Sequence, residues 1–189
     1  MKTLKTAACL ILALAAASPS AGAGPAPFVL SSPTVTPGGM LSLAQVLDAN
    51  GCQGLNQSPA LSWQGAPRGT RSFAVTFYDP DAPTGSGWWH WVVFNIPATA
   101  QGLAAGAGKA RARKLPGGAV QGRTDFGTPG FGGACPPPGD RPHRYVFTVY
   151  ALRVGAIAAG PESSAAQVGY LVHQNELARA SIEARYGRR

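Results

Sequence analysis

The sequence predicts a mostly β fold, an antiparallel sandwich with one α-helix near the C-terminus. Three long segments are rich in aromatic and β-branched residues, which is typical of buried strands. Turn-forming clusters such as "TPGG", "APRGT" and "DPDAPTGSG" lie between the strand segments. There is no alternation of strands with helices and no internal repeat, so the pattern favours an antiparallel sandwich over a parallel sheet.

The strongest strand predictions are residues 71–79, 88–96 and 144–152. Successive side chains of a strand point to opposite faces, so Phe73, Phe77 and Asp79 are expected on one face of the first strand. Shorter candidate strands lie at Phe28–Ser31, Met40–Leu43 and Pro59–Trp63.

The second long strand places a histidine among apolar residues. By simple alternation, His90 shares a face with Trp88 and Val92. The three tryptophans of this strand are best explained as core and rim packing. A lone histidine near a strand end is often a structural residue with satisfied hydrogen bonds, so its neighbours decide its role.

The predicted helix lies near the C-terminus. Ser164 and Gln167 have the spacing of a capping box, and Pro161 precedes them. Gly187 is placed to end the helix. Between these signals, apolar residues recur at helical spacing at Val168, Leu171, Val172, Ala178 and Ile182.

Residues 1–23 have the features of a secretory signal peptide. Lys2 and Lys5 form a charged start, an apolar run follows, and small residues end at Ala23. The run is too short to span a bilayer, and a buried N-terminal helix is the less favoured alternative because no polar residues pattern it. We expect cleavage here, a single domain at residues 24–189, and a periplasmic or secreted protein.

The formal net charge of +8 is spread along the chain, apart from the run "KARARK" at 109–114. A basic protein can bind nucleic acid, anionic lipid or acidic partners. This run is short, is flanked by glycine and alanine, and has no interleaved aromatic residues. A solvated loop is therefore the favoured interpretation, and no nucleic-acid partner is expected.

Two cysteines, Cys52 and Cys135, remain once Cys9 leaves with the signal peptide. An even number of cysteines in an exported chain indicates one disulfide, with two separate buried thiols as the alternative. A bridge between them would close a long loop and contribute on the order of 4 kcal/mol in chain-entropy terms.

The segment Ala98–His143 is rich in glycine and proline and has little periodicity. Long irregular segments inside a compact domain are usually functional or disordered. The first half contains a Gly/Ala/basic insert at 102–120, and its stretch "AGAGKARARKLPGGAV" at 105–120 has a composition typical of a mobile segment. The second half combines aspartate, aromatic residues and proline, which favours a fixed loop that forms a binding wall.

Two histidines, one tyrosine and one aspartate are expected at one edge of the core. His143 shares a strand face with Tyr145, and Asp79 ends the apolar face of its own strand. Polar groups there must be hydrogen-bonded or they cost about 1–3 kcal/mol each, so their convergence with His90 predicts the rim of a pocket. A metal site of His90, His143 and Asp79 is less favoured, because no H-x-H or H-E-x-x-H spacing occurs.

Three stretches together resemble a known family. "DPDAP" at 79–83 is followed by "WWHWVVFNIP" at 88–97 and by "GFGGACPPPGDRPHRYVFTVYAL" at 130–152. This order is similar to the phosphatidylethanolamine-binding protein family, and most similar to the bacterial branch usually labelled Raf-kinase-inhibitor-like. The likeness covers nearly all of the chain after residue 23.

The resemblance implies a sandwich of two antiparallel sheets with a C-terminal helix, and a small anion-binding pocket. It implies a binding protein for a small anionic ligand or phospholipid head group, with no cofactor and no enzymatic activity. A protease or other protein inhibitor acting through surface loops is the alternative, and a protein partner or a homodimer stays open. Carried over position by position, the pocket residues are Asp79, Asp81, Ala82, Pro83, His90, Pro136, His143 and Tyr145.

Physical chemistry gives these residues distinct roles. Histidine and the Tyr145 hydroxyl can donate hydrogen bonds to an anion, whereas a carboxylate facing the anion would repel it. Asp79 is therefore expected to orient an imidazole, and Asp81 to hold its own turn. We expect His143→Ala to weaken binding with little loss of folding. Cys135 stands where eukaryotic relatives have glycine, so the loop backbone there is expected to differ.

Overall fold

The computed structural model describes residues 26–109 and 114–188, which form two antiparallel sheets and one α-helix. The long strands are β3 (Ser72–Asp79), β4 (Trp88–Pro97), β7 (His143–Leu152) and β8 (Glu176–Tyr186). The short strands are β1 (Val29–Ser31), β2 (Leu61–Gln64), β5 (Gly102–Leu103) and β6 (Val120–Gln121). The helix α1 spans Ala165–Asn175, and a 3-10 helix spans Leu43–Gln45.

The strands form a small and a large sheet. The small sheet has the order β1-β2-β5, and the large sheet has the order β6-β4-β3-β7-β8. All named neighbours pair antiparallel. The predicted mostly β class with two antiparallel sheets is therefore confirmed.

Apolar side chains fill both faces of the large sheet. The core between the two sheets is built around Phe77, which stacks on Phe147 with ring centroids 4.1 Å apart. On the opposite face, α1 packs Val168 and Val172 against the large sheet. Alternation along β3 explains both layers, because Phe73 and Phe77 face the small sheet whereas Ala74 faces the helix layer.

The C-terminal part of the predicted helix is wrong. The helix begins at the Ser164 cap as expected, but it ends at Asn175, and the chain continues as β8 along the whole of β7. Ala178 and Ile182 lie four residues apart, a spacing that fits one face of a helix and, being even, also one face of a strand. The antiparallel pairing with β7 makes this segment a strand rather than a continuation of the helix.

The predicted strand at Met40–Leu43 is also wrong. Met40 makes a single bridge to Arg185, and the chain then enters the 3-10 helix. Ser42 caps this helix, since its side chain accepts a hydrogen bond from the Ala44 N–H. The serine cap outweighs the short apolar pattern.

The glycine-rich segment is more ordered than its composition indicates. Leu103 and Ala107 are buried in the core between the sheets, and the Gly108 N–H donates to the Ser58 hydroxyl at 2.9 Å. Residues 102–109 therefore pack against the core between the sheets. Most of the basic run and the whole predicted signal peptide, residues 1–23, lie outside the described residues.

Cys52 and Cys135 form a disulfide with Cα atoms 6.0 Å apart, so the favoured cysteine prediction is confirmed. It joins the loop after the 3-10 helix to the segment before β7. Among the described residues, no helix is long and apolar enough to cross a membrane.

Candidate functional site

The strand order brings three strand ends to one edge of the large sheet. β3 lies between β4 and β7 and runs antiparallel to both. Its last residue, Asp79, therefore pairs with Trp88 at the start of β4 and lies beside His143 at the start of β7. Antiparallel pairing thus gathers residues that are far apart in the sequence.

A β-bulge in β4 turns His90 toward the core between the sheets. Phe77 pairs with Trp91 and the pairing resumes at Trp89, so His90 is the extra residue. The His90 ring lies 5.0 Å from the Phe77 ring, and Trp91 belongs to the same core. Val92 packs on the opposite face, against the helix layer. The predicted shared face of His90 and Val92 is wrong, because simple alternation assumes a strand without a bulge.

A cavity of about 270 Å³ opens at this edge, and we call it the Tyr145 cavity. A neighbouring depression of about 440 Å³ shares Asn50 and Phe126 with it, and its lining within the described residues includes neither a histidine nor a tyrosine. The polar lining of the Tyr145 cavity comes from Asn50, Asp79, Thr84, His90, His143 and Tyr145. Its apolar lining comes mainly from Ala82, Pro83, Trp88, Phe126, Pro136 and Pro137.

His143 lies between two carboxylates. Its Nδ1 lies 2.8 Å from Asp79 Oδ2, and both side chains are only 3% exposed. Its Nε2 lies 3.3 Å from Oδ2 of Asp140, whose side chain is partly exposed. Asp79 also accepts the Asp81 N–H at 2.9 Å, so its carboxylate holds both the imidazole and the turn after β3.

His90 is held by the loop that precedes β7. Its Nδ1 lies 2.9 Å from the carbonyl oxygen of Gly132, which can only accept, so Nδ1 carries a proton. Burial lowers the pKa of His90 to about 4, although the Gly132 carbonyl and the Asp79 carboxylate act in the opposite direction. At neutral pH the ring is therefore uncharged.

Tyr145 is completely buried, and its ring lies between the two imidazoles, 5.4 Å from His90 and 6.5 Å from His143. Its hydroxyl has no hydrogen-bond partner among the described residues. Burial, assisted by the neighbouring Asp79 carboxylate, raises the pKa of Tyr145 far above its usual range, so the hydroxyl keeps its proton. A buried donor without a partner is rare in folded proteins and costs about 1–3 kcal/mol.

The sequence of this chain matches the model of one protein family over residues 31–187, and that model describes phosphatidylethanolamine-binding proteins. The chain belongs to the phosphatidylethanolamine-binding protein family.

Relatives and solved structures of the family agree with this assignment. The UPF0098 protein YbcL of Escherichia coli is 54% identical over 161 residues, which cover 85% of this chain and 88% of that protein. The crystal structure of E. coli YbcL, described as a new member of the mammalian family, superposes with a TM-score of 0.85 at 53% identity, over 87% of this chain and all of that one. A homologue from Chlamydia trachomatis gives a TM-score of 0.71 at 29% identity, over 86% and 98% of the two chains.

In this family member, the predicted site residues meet at one cavity with a single exception. Asp79, Ala82, Pro83, His90, Pro136, His143 and Tyr145 all line the Tyr145 cavity. Asp81 does not line it, because its carboxylate accepts hydrogen bonds from the Arg144 backbone at 2.8 Å and from the Arg144 guanidinium. These bonds hold the pKa of Asp81 well below its usual range. The side chain that bridges the turn is that of Asp79 instead.

Sequence reasoning missed several contributors to the site, which are Asn50, Thr84, Trp88, Phe126 and Pro137 in the cavity lining and Asp140 beside His143. Asn50 and Phe126 come from loops whose position depends on tertiary contacts, which no local pattern encodes. Asp140 lies three residues before His143 in "GDRPH", and this short spacing was the available signal. Trp88 also lines the cavity. No group of three or more histidine, cysteine, aspartate or glutamate side chains in the described ranges is arranged to hold a metal.

The depressed pKa of His90 predicts a loss of stability in mild acid. The pKa of His90 is 6.5 in the unfolded chain and about 4 in the folded chain. Between these two pH values the unfolded chain binds more protons than the folded chain, so a falling pH favours unfolding. We expect the His90 contribution to fall progressively as the pH drops from 6.5 to 4, by on the order of 3 kcal/mol in total.

Urea unfolding followed by tryptophan fluorescence at pH 7.0, 5.5 and 4.5 measures this effect. His90→Gln is the comparison, because glutamine keeps a hydrogen-bonding side chain that does not titrate. An equally steep decline of stability in wild type and variant would show that His90 is not the group responsible.

Proposed function

We propose that this chain binds a small anionic or phosphorylated group of the phospholipid head-group type in the Tyr145 cavity. The observation that carries the proposal is the buried Tyr145 hydroxyl, which keeps its proton and has no partner in the described residues. An acceptor atom of a ligand in the cavity would satisfy this donor. Such a donor is stabilising only when an acceptor enters the cavity.

The second donor of the site is His143. Its Nδ1 is oriented by Asp79, and its Nε2 faces Asp140, whose side chain is 41% exposed. An anion that replaced the Asp140 carboxylate at Nε2 would accept a hydrogen bond from an imidazole that is already positioned. Because Asp140 lies at the surface, it can move into solvent at small cost.

The shape of the cavity limits the ligand. About 270 Å³ is room for a phosphate or carboxylate with a short substituent, and the walls are the apolar side chains of Pro83, Trp88 and Phe126. An apolar wall beside two donors suits a ligand with a compact charged end and a small hydrocarbon part.

We propose binding without catalysis. No serine or threonine hydroxyl in the described ranges donates a hydrogen bond to His90 or His143, so the site lacks an activated oxygen nucleophile. The nearest sulfur, that of Cys135, is held in the disulfide. We also propose a periplasmic or extracellular location, from the signal-peptide pattern of residues 1–23 and the disulfide.

Tyr145→Phe tests the proposal, because it removes one oxygen and nothing else. We expect the affinity for O-phosphorylethanolamine, measured by calorimetry, to fall about 10-fold or more, the usual worth of a hydrogen bond to a charged group. The free energy of unfolding without ligand should stay equal or rise by about 1 kcal/mol, since an unpaired buried donor disappears.

Tyr150→Phe is the matched control. Tyr150 lies on the same strand, β7, but its ring packs on the opposite face of the sheet, near α1. This change should leave the affinity unaltered. Unchanged binding in folded Tyr145→Phe, or no detectable binding by the wild-type chain, would contradict the proposed function.

A further inference from the structure

Residues 49–52 form a tight turn at the surface, which we call the Asn50 turn. The Cys52 N–H donates to the Ala49 carbonyl at 2.9 Å. The backbone φ angles of the two central residues are 54° at Asn50 and 78° at Gly51, and both residues are exposed. Positive φ at both central positions defines a type I′ turn, in which asparagine followed by glycine is a favoured pair. This pair is also the one in which an asparagine side chain reacts most readily with the next backbone nitrogen, because glycine has no side chain to obstruct the attack.

The two groups that react in such a pair are not held by hydrogen bonds. The side-chain amide of Asn50 and the backbone N–H of Gly51 make none within the part of the chain that the structure describes. The chain has three other asparagines, and hydrogen bonds of 2.7 to 2.9 Å with backbone groups hold the side chains of Asn56, Asn95 and Asn175. None of these three precedes a glycine, and each is only partly exposed. Asn50 is therefore the asparagine that sequence and structure together leave open to reaction.

A guanidinium lies beside the peptide bond between Asn50 and Gly51. Arg188 Nη1 lies 3.4 Å from the carbonyl oxygen of Asn50, and Arg188 Nε donates to the Pro136 carbonyl at 2.6 Å. The Gly51 nitrogen becomes a nucleophile when it loses its proton, and the negative charge then resides largely on the Asn50 carbonyl oxygen. A guanidinium at this distance stabilises that charge and so lowers the barrier to the attack.

The Asn50 turn forms part of the wall of the Tyr145 cavity. Asn50 lines this cavity and also the neighbouring depression of about 440 Å³. The asparagine side chain is neutral, whereas its hydrolysis product carries a carboxylate. The wall already contains the carboxylate of Asp79. A second carboxylate there would repel an anion that enters the cavity.

We propose that Asn50 is a site of spontaneous deamidation, and that the carboxylate formed there weakens the binding of an anionic ligand in the Tyr145 cavity. The Gly51 nitrogen loses its proton to a solvent base and bonds to Cγ of Asn50. The bond from Cγ to Nδ2 breaks, the nitrogen takes up a proton and leaves as ammonia, and a cyclic succinimide remains. Water then opens the ring at one of its two carbonyl carbons and leaves aspartate or isoaspartate at position 50. The modification is independent of the proposed function, and only its effect on binding rests on that function.

Mass spectrometry of the purified wild-type chain tests the modification. During incubation at pH 8.5 and 37 °C, Asn50 should convert to the acid at least about 10-fold faster than Asn56, Asn95 or Asn175, since the thermolabile amide is unrestrained only at position 50. Fragment spectra locate the converted residue, and protein isoaspartate methyltransferase should label the aged chain at the same position. Equal rates at the four asparagines, or an unaltered Asn50 after several weeks, would overturn the inference.

Arg188→Gln distinguishes two roles of the guanidinium. If Arg188 stabilises the charge of the attacking group, its loss should slow the conversion of Asn50 by about 3-fold or more. If Arg188 only restrains the turn, its loss should speed the conversion, and that result would overturn the catalytic assistance. Arg179→Gln is the matched control, because it removes the same charge from a side chain that lies over the Tyr150 ring on the helix side of the large sheet. This control should leave the rate unaltered.

Two substitutions that add the same charge measure the effect on binding. Asn50→Asp reproduces one hydrolysis product. Asn56→Asp is the matched control, because Asn56 lines the neighbouring depression and is not among the described residues that line the Tyr145 cavity. Aspartate at position 56 keeps an oxygen that can accept the Gly133 N–H. At low salt, the affinity for O-phosphorylethanolamine measured by calorimetry should fall about 5-fold with Asn50→Asp and less than about 2-fold with Asn56→Asp.

The outcomes separate this inference from the proposed function. Equal affinities of Asn50→Asp and the wild-type chain would overturn the effect on binding and leave the proposed function intact. No binding of O-phosphorylethanolamine by freshly purified wild-type chain would overturn the proposed function and the effect on binding together, while the mass measurement would still decide the modification. The converted wild-type chain, separated by ion exchange, should bind at least as weakly as Asn50→Asp. Affinity equal to that of the fresh chain would contradict the effect on binding.

Discussion

Replacement of His143 by alanine is expected to destabilise the folded chain by about 3–5 kcal/mol as well as to remove ligand binding. His143 and Asp79 form a hydrogen-bonded pair in which both side chains are 3% exposed. Removal of the imidazole leaves the Asp79 carboxylate buried with the Asp81 N–H as its remaining donor. An uncompensated buried charge is among the costliest single changes in a protein.

His173→Ala is the matched control for this prediction. His173 also lies beside a carboxylate, that of Glu176 at 3.1 Å, but its side chain is 49% exposed. Solvent screens such a pair, so its loss should change the free energy of unfolding by less than about 1 kcal/mol. Urea unfolding of both variants at pH 7 gives the comparison, and equal, small effects would refute the claim that burial makes the His143 pair costly.

A double variant separates the energetic contribution of the His143–Asp79 pair from that of the packing around it. Asp79→Asn with His143→Gln removes the carboxylate and the imidazole and keeps polar side chains of similar size. If the cost of His143→Ala comes from the stranded carboxylate, the double variant should be more stable than His143→Ala by about 2 kcal/mol. A double variant that is less stable than either single variant would assign the cost to lost packing instead.

The burial of this pair changes an expectation drawn from the sequence. Strand alternation correctly placed His143 on the face of Tyr145 and Asp79 on the face of Phe77. Alternation predicts which face of the sheet a side chain occupies, but it does not predict how deeply that side chain is buried. From the sequence alone, His143→Ala was expected to leave folding nearly intact. The depth comes from the loops that cover the strand ends, and those loops have no periodic signal.

The same limit explains where the fold prediction succeeded and where it failed. The three long strands are dense in aromatic and β-branched residues, so local preference and tertiary pairing agree there. Residues 176–186 contain alanines and an isoleucine at even spacing, which both a helix face and a strand face accept. The partner strand β7 decides, and a single chain segment does not contain that information.

The bulge at His90 is a third case. The segment "WWHWVVFNI" reads as a regular strand, yet β4 needs one extra residue to turn both His90 and Trp91 toward the core. Nothing in the side chains requires the bulge locally. It is defined by the register with β3, and its consequence is the orientation of the imidazole that reaches the cavity.

Removal of the disulfide, by Cys52→Ala with Cys135→Ala, is expected to lower the free energy of unfolding by roughly 4–5 kcal/mol. The bridge closes a sequence separation of 83 residues. The entropic effect of a crosslink grows with the length of the loop it closes, because more conformations of the unfolded chain are lost. Urea unfolding of the double variant, and of the wild-type chain with and without reductant, measures the difference.

Ligand binding should respond much less, with affinity falling by less than about 3-fold. The two segments joined by the disulfide are also held by backbone bonds, since the Leu47 N–H donates to the Ala134 carbonyl at 3.1 Å. Arg188 adds bonds to the carbonyl oxygens of Pro136 at 2.6 Å and Asn50 at 3.4 Å. The folded wall of the Tyr145 cavity therefore keeps its position after the crosslink is removed.

The combination of a large stability loss with a small affinity loss distinguishes two roles for the crosslink. A crosslink that acts through the unfolded chain lowers stability and leaves the folded site unchanged. A crosslink that holds the cavity wall in place would instead weaken binding at temperatures where the variant is fully folded. An affinity loss of more than about 10-fold at 10 °C, with the native circular dichroism spectrum retained, would assign the disulfide to the site itself.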